Sequence, residues 1–192
     1  MYERDVTSIV NELGDRQPLD ELLIGIDGPG GSGKSTLARE LAARIDASTV
    51  QGDDFYRPRR DRRAASGTGE TFDWRRVQKE VLEPLKSGRP AHYQRYDWGR
   101  DALAEWREVA PGRVIVEGIC ILRTELRSYF DYSIWVEAPS HQRLQRGLAR
   151  DGAEAHQQWN EWMELEDTYV RAQRPEQHAD RVVNGADNPR RS

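Results

Sequence analysis

A single cysteine, Cys120, means that no disulfide can close within this chain. It lies in an apolar stretch and reads as a small core residue. No apolar run approaches the roughly 20 residues that cross a bilayer. The polar N-terminal segment lacks the pattern of a secretory signal. The expectation is a cytoplasmic protein with no membrane partner. Lysine is nearly absent too: Lys34, Lys79 and Lys86 are the only three among 29 basic residues. A net charge of −4 argues against a general nucleic-acid binder and leaves only local basic patches. No internal repeat or low-complexity tract appears. Only 36% of the residues are apolar and 32% are charged, so polar helices and loops should surround a compact core. The length of 192 residues suits one domain over 1–192.

Against this background one octet stands out, Gly28-Pro29-Gly30-Gly31-Ser32-Gly33-Lys34-Ser35, followed by Thr36. It fits G-x-x-x-x-G-K-[ST], the P-loop pattern. Glycines let the backbone fold round a phosphate with its N–H groups pointing inward. A helix starting there adds the positive end of its dipole. Lys34 supplies a flexible point charge for the β- and γ-phosphates, and the Ser35 hydroxyl is a ligand for Mg²⁺. The flanks agree. Leu22 to Asp27 is a short apolar run bounded by glycine, which predicts a buried parallel strand. Lys34 to Ile45 spaces Leu37, Leu41 and Ile45 four apart, which predicts a helix. The competing reading is a glycine-rich turn with an incidental lysine.

Val6, Ile9, Val10 and Leu13 predict a leader helix over 2–13, ended by Gly14, within an N-terminal helix and linker spanning 1–20. Ala47 to Gln51 reads as a second strand, delivering Asp53 and Asp54 beside the phosphate loop. Carboxylates there can accept a proton from an acceptor hydroxyl or hold Mg²⁺ through water; an ordinary acidic turn is the alternative. Arg57, Arg59, Arg60, Arg62 and Arg63 sit in a loop over 57–71 that either covers an anionic acceptor or is a solvated segment. Asp73 should cap a helix carrying Val77, Val81, Leu82 and Leu85. Residues 91–109 alternate as a hairpin or flap outside the main sheet, its aromatics either packing or stacking on a substrate ring. Arg113 to Gly118 is a central strand ending in Glu117. A short helix through Leu122, Leu126 and Phe130 should follow, then a core strand from Tyr132 to Glu137. A helix opening at Pro139 places Arg143, Arg146 and Arg150 on one face. Three like charges there suggest a lid region over 139–153 that clamps phosphates around a shared anion; acid-paired solvation is the other reading. A long polar helix over 154–173, a last short strand near 179–185 and a frayed tail over 188–192 complete the chain.

Taken together, Ile26 to Ser35, Asp53-Asp54-Phe55-Tyr56, Phe72-Asp73-Trp74, Tyr96-Asp97, Val116-Glu117-Gly118-Ile119, the arginines at 143, 146 and 150, and Ala179 to Gly185 resemble the uridine kinase family, which belongs with phosphoribulokinase, pantothenate kinase and nicotinamide riboside kinase. The resemblance covers about residues 22–187. It implies a three-layer αβα P-loop fold with a five-stranded parallel sheet, a lid helix and a small hairpin. It implies transfer of the γ-phosphoryl of ATP, or a similar triphosphate, with Mg²⁺, to a hydroxyl of a small-molecule acceptor. On the same basis Asp53 takes the place of the general base near Mg²⁺, and Ser35 and Glu117 lie on the metal side. Asp54 stands where uridine kinases have serine. Asp73 stands where they hold ribose hydroxyls, Tyr96 where they approach the base, and Tyr56 belongs to the acceptor motif. Uridine kinases follow the Tyr-Asp pair with a histidine-bearing stretch; here Trp98-Gly99-Arg100-Asp101 follows and no histidine does. Asp53 to Pro58 resembles nicotinamide riboside kinases equally. The acceptor thus stays open between a nucleoside and an anionic molecule, as does the oligomeric state, a homo-oligomer included. A regulatory nucleotide-binding ATPase is the remaining alternative, although no Asn-Lys-x-Asp base-reading motif occurs.

Overall fold

The structure, a computed structural model, describes residues 2–16, 21–62 and 71–187. Its centre is a five-stranded sheet in the order β2-β5-β1-β6-β7, formed by β1 (Leu22–Asp27), β2 (Ser48–Gln51), β5 (Arg113–Gly118), β6 (Tyr132–Glu137) and β7 (Arg181–Asn184). All four pairings are parallel. Parallel strands joined by crossovers are covered on both faces, which is why β1, β5 and β6 read as nearly unbroken apolar runs.

The two faces separate by residue parity. Ile24, Ile26, Ile115, Ile134 and Val136 meet α1 (Glu3–Arg16) and α2 (Lys34–Ile45) in one cluster. Leu23, Val50, Val114, Val116 and Trp135 turn to the other face, against Phe55, Val77, Val81 and Tyr169. Layers of helix, sheet and helix result, the arrangement expected from the strand and helix periods.

Beyond the single helical turn α3 (Arg59–Arg62), the helix after Asp73 starts as α4 (Trp74–Arg76), widens to a π-helical stretch at Val77–Leu82 and ends as α5 (Glu83–Lys86). Pro84 explains the widening. A proline ring needs room against the preceding turn and provides no N–H of its own; here the Glu83 N–H reaches back to the Gln78 carbonyl. Asp73 caps α4 by accepting from the Arg76 N–H. The hairpin lies outside the main sheet, as expected: β3 (Ala91–Asp97) pairs antiparallel with β4 (Ala102–Val109), with a register shift between Gln94 and Tyr96.

Two expectations change. The leader helix runs through Gly14 to Arg16. Burial of Val6, Ile9 and Leu13 outweighs the roughly 1 kcal/mol that a helical glycine costs. No helix forms through Leu122, Leu126 and Phe130. That segment is a run of turns with one 3-10 turn at Arg127–Tyr129. Its backbone is committed elsewhere: Cys120 takes a φ of 67°, the Leu122 N–H turns to Asp27, and the Asp131 N–H bonds the Leu23 carbonyl. Cys120 is buried, as read. Arg63 and the tail over 188–192 lie outside the described residues.

The pair α6 (Ser140–Asp151) and α7 (His156–Gln173) packs across the phosphate loop. Gly147 lets it do so, since a Cβ there would overlap the Trp159 ring. Helix propensity alone would make Gly147→Ala stabilising by about 1 kcal/mol. Overpacking costs about 1–3 kcal/mol, and the contact with a fully buried ring should prevail. Urea unfolding of Gly147→Ala should therefore show a lower midpoint at unchanged m; a higher midpoint would mean that the α6–α7 contact yields freely.

Candidate active site

The phosphate-loop residues and Asp53 and Asp54 follow strand ends on one edge of the sheet, the place where open parallel sheets bind ligands, whereas Asp73 caps α4 and Tyr96 lies on the hairpin. β1 leads into the phosphate loop, β2 into the 3-10 turn Gly52–Phe55, and β5 into Gly118. The register sets Gln51 beside Glu117 and Asp27 beside Gly118. Gly52 and Gly118 come so close that a Cβ on Gly118 would lie 2.9 Å from the Gly52 Cα.

The loop is held tightly. Gly31 and Gly33 have φ of 75° and 103°, conformations open to glycine at little cost. A Cβ on Gly31 would meet the Arg143 backbone of α6, at 2.6 Å from its carbonyl oxygen. Gly33 caps α2 with no side-chain bond to the first-turn N–H groups, and no acid stands in that turn. The Ser32 hydroxyl is fully buried and has no hydrogen-bond partner among the described residues. Uncapped N–H groups at a helix start, a buried hydroxyl to spare and Lys34 together make a donor set suited to phosphate oxygens.

Beneath the loop lies a residue whose role was not legible in the sequence. Asp27 is fully buried and accepts from the Gly28 N–H at 2.6 Å, the Leu122 N–H at 2.8 Å and the Tyr169 hydroxyl at 2.6 Å. Burial pushes its pKa up to about 6, against the pull of those three donors and of Lys34.

The metal-side candidates meet directly: Ser35 Oγ donates to Glu117 Oε2 at 3.2 Å. Burial raises the pKa of Glu117, and Lys34 works against it. Asp53 is exposed at the mouth of the turn after β2. No group of three or more metal-binding side chains of the His, Cys, Asp or Glu type occurs among the described residues. A hydroxyl, one buried carboxylate and one exposed carboxylate are a sparse set. That suits Mg²⁺, which keeps several waters and takes few protein ligands beside phosphate.

Neighbouring Asp53 and Asp54 face different surroundings. Asp54 is buried, accepts from the Tyr93 hydroxyl at 3.3 Å and lies 3.5 Å from Arg107. Burial raises its pKa, opposed by Arg107 and Tyr93. Tyr56, Arg57 and Asp73 line a cavity of about 540 Å³ with Arg60, Arg76 and Leu103. Asp73 pairs with Arg57 at 3.3 Å. Tyr96 is buried, donates to Asp101 at 2.6 Å and accepts from Arg62 at 3.1 Å. The Arg62 guanidinium lies 5.5–5.6 Å from the ring centres of Tyr56, Tyr96 and Trp98. It is thus enclosed by aromatics and does not hang as a free arm.

The three lid arginines share one helix, as expected, and each has a partner of its own. Arg143 pairs with Glu166 at 3.0 Å, Arg146 bonds the Gly31 and Gly185 carbonyls at 3.0 and 2.9 Å, and Arg150 pairs with Asp151 at 2.7 Å. Glu166 itself, on α7, was not singled out in the sequence. Nothing in a polar helix marks the one acid that turns inward.

The fold and the site define a P-loop nucleotide-binding protein of three-layer αβα form. Comparisons narrow this. The AAA domain family matches residues 24–171. Uridine-cytidine kinase B of Dictyostelium discoideum is 32% identical over 145 residues, 69% of this chain and 59% of that protein. Uridine kinase of Deinococcus deserti is 32% identical over 144 residues, 69% of each. A structure from Bacillus stearothermophilus, described as a possible uridine kinase, shares the fold with a TM-score of 0.73 at 23% identity, covering 95% of this chain and 99% of its own. The chain belongs to the uridine kinase family of P-loop proteins. It spans about three fifths of the Dictyostelium relative's length.

Asp27 gives a pH test. Its folded pKa of about 6 exceeds the ordinary value of 3.8, so the folded chain binds that proton more tightly than the unfolded one. Its favourable contribution is complete below about pH 4 and is lost as pH rises through about 6, a change of about 3 kcal/mol. Urea unfolding between pH 4 and 7 should show wild type losing stability relative to Asp27→Asn across that window. A pH-independent difference would contradict the raised pKa.

Proposed function

We propose that this chain is an ATP-dependent phosphotransferase that moves the γ-phosphoryl group to a hydroxyl of a small molecule, foremost a nucleoside or other riboside, in the cytoplasm. One observation carries the reading. Of two adjacent carboxylates, Asp54 is held inside by Tyr93 and Arg107, while Asp53 stands exposed within electrostatic reach of Glu117. One acid is built in and the other is left at the mouth, as a proton acceptor must be.

The roles follow from position. The backbone from Gly28 to Thr36, with Gly30, Gly31, Ser32 and Gly33, holds the phosphates, and Lys34 places its charge on the group being moved. Ser35, Glu117 and Asp53 would hold Mg²⁺, which when bound neutralises phosphate charge. Asp53 accepts the proton of the acceptor hydroxyl. Asp73, Tyr56 and Tyr96 shape the acceptor side, with Asp54 fixing the turn that carries Asp53. Arg146 ties α6 to the loop through the Gly31 carbonyl, and Arg143, Arg146 and Arg150 supply positive charge near the transfer. Among the described residues no helix is long and apolar enough to cross a membrane, as suits a diffusible substrate.

A second reading, an anionic acceptor, draws on the cavity beside Asp73. Arg57, Arg60 and Arg76 line it, and Arg60 is exposed, 3.7 Å from Asp61.

A coupled ADP-release assay over nucleosides, sugars, vitamins and nucleoside monophosphates should find an acceptor that stimulates turnover. Lys34→Ala should abolish transfer. Asp53→Asn should lower turnover by about 10² or more with nucleotide affinity nearly unchanged. Full turnover in Asp53→Asn would move the base to Asp54 or Asp73. Arg60→Ala should lower activity only towards anionic acceptors, and an unchanged acceptor profile would remove the second reading.

A further inference from the structure

Glu166 does something unusual for an acid on a polar helix. Its Oε1 accepts from the Gly30 N–H inside the phosphate loop at 2.8 Å, and its Oε2 accepts from Arg143 Nη1 at 3.0 Å. The side chain is only 13% exposed. The contact is close: a Cβ on Gly30 would lie 3.0 Å from Glu166 Oε1 and 3.1 Å from the Trp159 ring. The carboxylate thus has two hydrogen-bonded partners, one on the loop and one on α6. Lys34 adds attraction from α2, and Asp167 adds repulsion from α7 itself. Burial raises the pKa of Glu166. Tyr56 and Cys120 lie within its electrostatic reach.

Arg143 is correspondingly engaged. Its second carboxylate neighbour is Asp167 at 3.7 Å. Its Nε is buried and has no hydrogen-bond partner among the described residues, so this guanidinium keeps one donor in reserve.

A carboxylate oxygen on a phosphate-loop N–H takes the place of a phosphate oxygen. One N–H at 2.8 Å serves one strong acceptor, and two anions side by side in a half-buried site repel strongly. The two ligands of that N–H therefore compete.

We propose that Glu166 is an internal competitor for the phosphate loop: a bound triphosphate and the Glu166–Gly30 bond exclude one another, and loss of that bond releases Arg143 from Glu166 towards the phosphates. The proposal rests on reading the octet as a phosphate site. It makes α7 a sensor of that site, and the coupling is reciprocal: whatever favours the Glu166–Gly30 bond weakens triphosphate binding by the same factor. Glu166 is on this account a positioning residue, acting through Arg143 and the loop.

The test is binding by calorimetry at fixed salt, with magnesium–ATP and magnesium–tripolyphosphate as probes. Glu166→Gln keeps the shape and can still accept from Gly30, but it removes the charge. It should bind both probes at least about fivefold more tightly than wild type. Glu164→Gln, on the exposed side of the same helix, should bind as wild type does. Unchanged or weaker binding by Glu166→Gln overturns the proposal. Should that variant fail to fold, wild type alone decides: hydrogen exchange in the α7 segment around Glu166 should quicken on adding magnesium–ATP, and unchanged or slowed exchange overturns the proposal. Equal tripolyphosphate affinity in wild type and Lys34→Ala would instead overturn the phosphate-site reading itself.

Discussion

The Asp27 carboxylate is the interaction on which the rest of the site depends. At the buried end of β1 it joins the first residue of the phosphate loop, the turn after β5 and the Tyr169 hydroxyl of α7. Three elements far apart in sequence thus converge on one charge that water does not reach. A buried carboxylate is costly unless its lone pairs are filled. Here three donors fill them, and the cost that remains appears as a raised pKa. Those bonds hold the loop glycines in place and keep α7 close enough for Glu166 to touch Gly30.

Around this anchor the site divides by strand. On the proposed reading the ends of β1 and β5 supply the phosphate and metal side, with Lys34, Ser35 and Glu117. On the same reading the end of β2 and the hairpin supply the acceptor side; there Asp53 is open while Asp54 is enclosed. Above both lies the α6–α7 pair, which touches the loop through Gly31, Arg146 and Glu166. Several arginines near the site have fixed partners. Arg143 is paired with Glu166, Arg62 sits among three aromatic rings, and Arg107 lies beside Asp54. Arginine's planar fork suits such fixed pairings, and the flexible lysine is placed in the loop at Lys34.

Local periodicity and turn chemistry made much of this legible in the sequence. The octet, the strand before it and the helix after it were set by spacing alone. So were the Asp73 cap and the hairpin, whose signals lie within a few residues of one another. Contacts across the chain were not legible. The Glu166–Gly30 bond spans 136 positions and the Tyr169–Asp27 bond 142, and no period encodes either. The helix expected through Leu122 and Phe130 failed for the same reason: its backbone N–H at Leu122 is taken by Asp27. The arginines of α6 were correctly placed on one helix, but their partners Glu166 and Gly185 lie beyond the reach of a local pattern.

The central claim is transfer of a phosphoryl group to a small acceptor. Its most direct test is ³¹P NMR of the wild-type protein with ATP, Mg²⁺ and a mixture of ribosides. The account predicts that the γ-phosphate signal is replaced by a phosphomonoester on an acceptor, at a rate that depends on the acceptor. Slow release of inorganic phosphate at the same rate with and without acceptors would contradict it.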